Sequence, residues 1–470
     1  MTVSKGSIMN TQRQRSRKRF ASRSLAALCV CLTATLVAAC SQDDSAIDPD
    51  ATPSSQQPVI TAEAEAFSVT EDPLWAWDNE TAPALISDVI FLDELALAVG
   101  GTSQFGKSEF SVVDAETGEP LWSMAELADI EGLDAAFYSY SGLALTGEEG
   151  QELIVVSYYS PDCVTAPCPP SGQQSPETGI VALDLRTGEP QWTYAAIPSV
   201  NEVEEPKLAQ EHRDSALHIL EGHQETPLIT IGPVMGLNGQ QVADPDLFRT
   251  VALSPDTGEE LWTAPAVIAN RVVDDRLISL QPPESVSDGR FTHGAGGPVA
   301  IDMATGEQVW NASEQFPLAQ LEGAGDGRAI FLDVTQDSGA QYNVIDLADG
   351  ALLHTVDDIA STPVMDPVTG MIGYRSLDSL DALTTLLAEE DEWSLSGVEL
   401  DQEAGIPALA HDEYMFLYNH ANDTTTVVDR SGTQHGIPLE GRVISVTEDH
   451  VVTQQGAAED ASITVYARTQ

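Results

Sequence analysis

One short pattern recurs along this chain and leaves few folds open to it. Val113-Asp114-Ala115-Glu116-Thr117-Gly118-Glu119-Pro120-Leu121-Trp122 returns as Leu183-Asp184-Leu185-Arg186-Thr187-Gly188-Glu189-Pro190-Gln191-Trp192. It returns again as Leu253-Ser254-Pro255-Asp256-Thr257-Gly258-Glu259-Glu260-Leu261-Trp262 and as Ile301-Asp302-Met303-Ala304-Thr305-Gly306-Glu307-Gln308-Val309-Trp310. A degenerate copy runs from Ile345-Asp346 through Gly350 to His354. Each copy reads as a strand, a tight turn in which Asp bonds its own backbone and Gly takes positive φ, and a second strand carrying an indole. A lone hairpin of this kind is marginally stable in water. Repetition lets each unit bury its face against the next, which is the logic of a β-propeller.

The indoles count the units. Stations fall at Trp75 or Trp77, Trp122, Trp192, Trp262, Trp310, His354, Trp393 and His435. They predict an all-β chain folded as an eight-bladed β-propeller over 71–470, with seven blades as the alternative. The strand-like Ile463-Thr464-Val465-Tyr466-Ala467 has no partner after it, and Pro73-Leu74-Trp75-Ala76-Trp77 has none before it. Pairing the two closes the ring and removes the sheet edges that invite aggregation. The difficult stretch is 355–395. Asp366-Pro367-Val368-Thr369-Gly370 repeats the turn chemistry too soon after Gly350, so it reads as an inner hairpin of the sixth blade, with Trp393 on that blade's outer strand.

Ahead of the repeats stands an address. Lys5, Arg13, Arg15, Arg17, Lys18, Arg19 and Arg23 precede an apolar run from Ser24 to Ala39, ending Val37-Ala38-Ala39-Cys40. A charged stretch, a short apolar stretch and small residues make an export signal over 1–39. The apolar run is short for a membrane span, which needs about 20 residues. Small residues before a cysteine resemble the lipobox of bacterial lipoproteins, which implies lipidation (palmitate) at Cys40. Residues 40–70 are rich in Ser, Asp, Pro, Gln and Ala and read as a flexible acidic tether.

Charge narrows the partners. With 74 acidic against 20 basic residues the formal charge is −54, and much of the basic share lies in the export signal. The folded part therefore lacks the cationic footprint that nucleic acid or anionic lipid requires. Its only predicted contact with the membrane is the N-terminal lipid. Adaptation to high salt, calcium binding and a basic partner all remain open as reasons for the acidity. Cys163 and Cys168 stand close together; in an oxidising compartment this spacing reads as a disulfide, and no His or Cys nearby completes a metal site.

The Asp-x-x-Thr-Gly-Glu-x-x-Trp repeat resembles that of the quinoprotein-type, PQQ-repeat propellers, relatives in architecture of WD40-like repeats. In that family an indole of this kind docks on the neighbouring blade, which implies docking roles for Trp122, Trp192, Trp262, Trp310 and Trp393. One branch consists of dehydrogenases with pyrroloquinoline quinone on the propeller axis, a disulfide between adjacent cysteines and a bound calcium. Adjacent cysteines do not occur after Cys40 in this chain, and no Asp-x-Asp-x-Asp-Gly loop appears. The other branch is non-enzymatic and follows the layout of BamB-type outer-membrane assembly lipoproteins: signal, lipobox, tether, then propeller. The expectation is a monomeric, cofactor-free, lipid-anchored scaffold facing the extracytoplasmic side of the cell membrane, docking a protein or peptide. A PQQ-dependent enzyme or a ligand-sensing propeller is the alternative.

Long insertions point to where a partner would dock. Tyr158 to Thr178, Pro233 to Phe248 and Gln281 to Gly297 fall between the second and third strands of blades two, three and four, and Ala195 to Asp214 enters blade three from the same side. Loops on a rigid scaffold collect function. Tyr158, Tyr159, His212, Arg213, Arg290, Phe291 and His293 are the aromatic and cationic groups there, and are the candidate contacts. No Gly-x-Ser-x-Gly, Walker or His-Glu-x-x-His motif supplies a catalytic centre.

Overall fold

Strand after strand in this chain is apolar along its whole length, as in Ile180-Val181-Ala182-Leu183, where both sheet faces are buried. A computed structural model shows how. It describes residues 67–469 apart from 78–84, 93, 103–106, 125–135, 138–142, 148–149, 160–177, 198–214, 224, 234–245, 247, 283–294, 334–340, 357–358, 360, 376–381, 390–391, 400–404, 430–432 and 457–460. The described part belongs to one compact unit, Glu63–Gln470. The export signal, Cys40 and most of the expected tether lie outside the described residues.

After β1 (Ser68–Val69) and β2 (Trp75–Trp77), the chain builds antiparallel sheets in sequence order. The first is β3 (Leu85–Leu92), β4 (Leu95–Thr102), β5 (Lys107–Asp114) and β6 (Pro120–Ser123). The second takes β7 (Ala136–Phe137), β8 (Leu143–Thr146), β9 (Leu153–Tyr159), β10 (Thr178–Asp184) and β11 (Pro190–Ile197), with β7 and β8 both against β9. The third holds β12 (Ser215–Ile219), β14 (Leu228–Pro233), β15 (Arg249–Leu253) and β16 (Glu260–Pro265), while β13 (Gly222–His223) reaches back to run parallel with β8. Next come β17 (Ile268–Val273), β18 (Arg276–Gln281), β19 (Ala295–Asp302) and β20 (Gln308–Asn311). A short bridge between Ala295–Gly296 and Ala319–Gln320 links them to β21 (Ala319–Gly325), β22 (Arg328–Asp333), β23 (Gln341–Asp346) and β24 (Leu352–Val356). Two further sheets follow: β25 (Val364–Met365), β26 (Ile372–Arg375), β27 (Ala382–Glu389) and β28 (Glu392–Glu399), then β29 (Ile406–His411), β30 (Tyr414–Asn419), β31 (Thr424–Asp429) and β32 (Gln434–Glu440). The last is β33 (Arg442–Val446), β34 (His450–Gln455) and β35 (Ser462–Thr469), completed by β2, with Trp75 opposite Val465, and by β1, with Ser68 opposite Thr469. This succession of antiparallel sheets, each packed on the next, is a β-propeller organisation.

Two readings from the sequence are settled here. Asp366 to Gly370 does form the turn between the two inner strands β25 and β26, and Trp393 does lie on β28 of the same sheet. The tether, expected over 40–70, ends earlier: Phe67 is buried against Tyr414 and Phe416, and Ser68–Val69 pair with the last strand. Polar composition extended the apparent tether across Phe67 and Val69, two apolar residues too few to read as a strand.

The core lies in the seams between sheets. Leu97, Phe110 and Val112 of the first sheet pack on Leu145, Ile154 and Val181 of the second. Val89, Ala96 and Val113 of the first sheet pack on Val452, Ile463 and Val465 of the last. Five of these seams are locked at the rim by an indole on the next sheet's turn. Asp114 Oδ1 accepts the N–H groups of Glu116 (3.1 Å) and Thr117 (2.9 Å) and the Thr117 hydroxyl (2.8 Å), which shapes the turn and exposes Gly118. The preceding sheet's indole lies over that glycine and donates Nε1–H to the carbonyl just after the aspartate. Trp75 donates to Ala115 (2.9 Å), Trp122 to Leu185 (2.8 Å), Trp192 to Pro255 (2.6 Å), Trp262 to Met303 (2.7 Å) and Trp310 to Leu347 (2.8 Å). Of the two candidate first stations, Trp75 therefore docks, while Trp77 packs behind it. Glycine is required on two counts. At Gly306 φ is +72°, and a Cβ would stand 2.7 Å from the Trp262 ring.

The later seams are joined differently. Buried Asp366 accepts the Thr369 hydroxyl (2.6 Å) and the backbone N–H of Glu413 in the next sheet (2.8 Å). Where last and first sheets meet, the rings of Phe91 and His450 stack with centroids 4.1 Å apart.

Truncating Trp262 to Ala should cost about 3–5 kcal/mol, as for large core aromatics. Trp262→Phe, which keeps much of the ring but strands the Met303 carbonyl, should cost about 1–2 kcal/mol. Gly306→Ala should lower the urea midpoint despite adding one methyl. Titration adds a further test. Burial pushes the His450 and His411 imidazoles below their ordinary value. The unfolded chain then binds more protons than the native one below about pH 6.5, so stability falls as pH drops through that value. Asp114 and Asp302, held below the usual carboxylate range chiefly by the Thr117 and Thr305 hydroxyls, add a second loss below about pH 4. His450→Phe should flatten the first decline in urea midpoint and leave the second.

Candidate functional site

Because successive strands alternate in direction, connections between second and third strands leave each sheet at one end, together with the connections between sheets. Tight turns occupy the other end. The described strands bracket long connections on the first of these faces: 160–177 between β9 and β10, 198–214 between β11 and β12, 234–248 between β14 and β15, and 282–294 between β18 and β19. The equivalent connection in the first sheet spans only 103–106. The strands that bracket these connections end on the same side of three consecutive sheets, at the boundaries expected from the sequence to within three residues.

Of the candidate contacts, the structure describes one side chain, and it is not at the surface. Tyr158 is 6% exposed, sits on β9 and covers Gly179, where a Cβ would stand 2.6 Å from its ring. It is a core residue, so its assignment as a partner contact is corrected: β9 extends through Tyr159, and the strand's inward alternation captures the ring. His212, Arg213, Arg290, Phe291, His293, Cys163 and Cys168 lie outside the described residues, as do the side chains of Tyr159 and Trp393. Trp122, Trp192, Trp262 and Trp310 are at the seams, each with its indole N–H satisfied.

The opposite, turn-bearing face holds a cavity of about 790 Å³ that the sequence does not announce. Its walls come from the inner strands of three consecutive sheets: His218 and Ile219 at the end of β12 with Leu220 to Gly222 after it, Ala269 to Val273 along β17 with Asp274 beyond it, and Ala324–Gly325 on β21. Pro367 from the β25–β26 turn stands beyond them. Gly325 allows the approach, since a Cβ there would meet the Pro367 carbonyl at 2.4 Å. Strand β17 bulges at this point: Ala269 pairs with Ser279 and Arg271 with Ile278, leaving Asn270 without an opposite residue. The bulge is pinned from behind. Thr230 Oγ1 accepts the Ala269 N–H (3.0 Å) and meets the buried Thr250 hydroxyl (3.2 Å), which donates to the Val267 carbonyl (3.0 Å). A bulge of this kind re-aims side chains, and the innermost strands β3, β21, β29 and β33 carry one at the equivalent place, so it is part of the repeated unit.

Arg271 is the cation of this cavity. Its side chain reaches solvent, yet protein surrounds it, and that loss of hydration depresses the guanidinium pKa from its ordinary value. Among the described residues it has no ion pair and no hydrogen bond. Arg186, Arg276, Arg328 and Arg468 each pair with an acid, whereas Arg249 and Arg442, like Arg271, have none among the described residues; Arg271 differs from those two in lining a cavity and in its depressed pKa. Glu221 and Asp274 stand exposed at the cavity rim. Nothing in the Asn270-Arg271 dipeptide marks it beforehand; both line the cavity, Asn270 half-buried and Arg271 exposed.

With the geometry in place, comparison with known proteins adds a family. The family model described as outer membrane protein assembly factor BamB matches residues 61–351. No curated protein matches the chain. Among solved structures, BamB from Moraxella catarrhalis is similar at TM-score 0.44 and 13% identity, covering 85% of this chain and 99% of its own. Quinohemoprotein alcohol dehydrogenase from Comamonas testosteroni is similar at TM-score 0.45 and 12% identity, covering 84% and 76%. The β-propeller domain of Cps50 (Swd1) from Myceliophteria thermophila is similar at TM-score 0.37 and 10% identity, covering 86% and 100%.

Proposed function

The chain belongs to the PQQ-repeat family described as outer membrane protein assembly factor BamB, and we propose that it is a lipid-anchored, extracytoplasmic propeller scaffold that docks a protein or peptide and catalyses no reaction. In this reading the sheets are eight blades in a closed ring. Support comes from the eight sets of strands that follow one another from β3 to β35. The pairing of β1 and β2 with β35 and the packing of the last sheet on the first add to it. Closure leaves a rigid wheel whose loops on one face can be elaborated at little cost to stability.

The observation that carries docking is the grouping of long connections on one side of three consecutive sheets, each held by strands with buried side chains. Anchoring belongs to Cys40, at the end of the apolar leader, and residues 41–66 give the propeller reach from the bilayer. The acidic surface keeps the wheel from lying flat on anionic lipid and favours a partner with basic character at the contact.

Three measurements test this. Cys40→Ala should release the protein from the membrane fraction, and retention would refute lipid anchoring. Replacing 160–177 and 234–245 with short turns should abolish crosslinks formed on intact cells while leaving the unfolding free energy within about 1 kcal/mol of wild type, the scale of a changed surface loop. Crosslinks that survive would move the docking site elsewhere. Pyrroloquinoline quinone added with calcium should produce no dye reduction with alcohols; turnover would replace the scaffold reading with an enzyme.

A further inference from the structure

The cavity on the turn-bearing face lies away from the proposed docking loops, and its chemistry is that of a small-molecule site. We propose that it binds the carboxylate of a small organic molecule, with Arg271 as counter-ion and Asn270 as a neighbouring amide donor. The first argument concerns charge. A guanidinium that protein has partly stripped of water, with no acid answering it among the described residues, is an unmet demand for an anion. Carboxylates are abundant in this chain, with 74 Asp and Glu; Arg249 and Arg442 also lack an acid among the described residues, but only Arg271 of these three lines the cavity. The second argument concerns construction. Arg271 is the residue after a β-bulge whose backbone is held by the buried Thr230–Thr250 hydroxyl pair, so the strand that carries it is fixed before any ligand arrives. Pre-organisation of this kind lowers the entropy cost of binding. The third argument concerns size. A space of about 790 Å³ falls within the range of ordinary ligand pockets and exceeds what a bare ion needs.

The fork of an arginine matches a planar carboxylate through two parallel N–H···O bonds. Exposed Glu221 and Asp274 at the rim repel multiply charged inorganic anions and accept donors carried by the rest of the ligand. A free organic acid and the carboxyl terminus of a peptide offer the same group, and they differ in what fills the remaining volume.

The full-length protein, with its lipid-modified cysteine replaced for solubility, is titrated by calorimetry and by thermal shift at constant ionic strength. The probes are succinate, the tripeptide Ala-Ala-Ala, its C-terminal amide, and sulfate. Saturable binding of succinate or of the free tripeptide is expected, weakened at least tenfold in Arg271→Ala and partly restored in Arg271→Lys. Asn270→Ala should weaken it less. Binding by succinate alone assigns a free organic acid, and binding by the tripeptide but not its amide assigns a peptide terminus. Arg276→Gln, which changes charge without touching the cavity, should bind as wild type. Three results would overturn the proposal: no saturable binding by either carboxylate, equal binding by the amide, or undiminished binding in an Arg271→Ala protein whose circular dichroism and urea midpoint match wild type. Sulfate binding as tightly as the carboxylates would overturn it too. The docking proposal survives any of these, because it stands on the opposite face.

Discussion

An indole resting on its neighbour's glycine is the contact on which the rest of this molecule depends. The aspartate shapes a turn, the turn presents a glycine without a side chain, and the preceding sheet's tryptophan covers that glycine and donates to the carbonyl beside it. Each part is worth little alone. Together they tie the outer edge of one sheet to the next at a defined height, leaving the apolar strands behind to pack in register. A single exposed hairpin could not bury both faces of Ile180–Leu183; a succession of locked sheets can.

That dependence explains what the sequence made legible. The turn and indole recur at separations that only one repeated supersecondary unit accommodates, so the sheets, their order and the inner hairpin at Asp366 could all be read from residues alone. Trp75 and Trp77 could not be told apart, because both alternate inward on one short strand and only the position of Gly118 chooses between them. Tyr158 was misread for a related reason. A strand's last residues look like the start of a loop when the residues that pair with them, here Gly179 and its neighbours, lie beyond a long insertion.

The cavity was illegible for a different physical reason. Asn270 and Arg271 sit in an unremarkable polar stretch, and an ordinary two-residue alternation would have placed them differently. The bulge changes the phase, and Thr230 of β14 in the previous sheet accepts the Ala269 N–H beside it. Information of that kind exists only in three dimensions. It leaves one scaffold whose two faces differ: long connections leave one, and a cavity with Arg271 in its lining opens on the other.

The pairing of Ser68–Val69 and Trp75–Trp77 with Ser462–Thr469 has a temporal side. A polypeptide made from its N-terminus carries Trp75 and Trp77 without the strand they pair with, Ser462–Thr469, until the intervening sheets have followed. Joining ends so far apart bears the greatest loop-closure entropy in the molecule and places its slowest step at the finish. During that interval Trp75 already has Gly118 and the Ala115 carbonyl to rest on. The first dock can therefore act as a latch, keeping the early strand in place and out of reach of other chains until Ser462–Thr469 pairs with it.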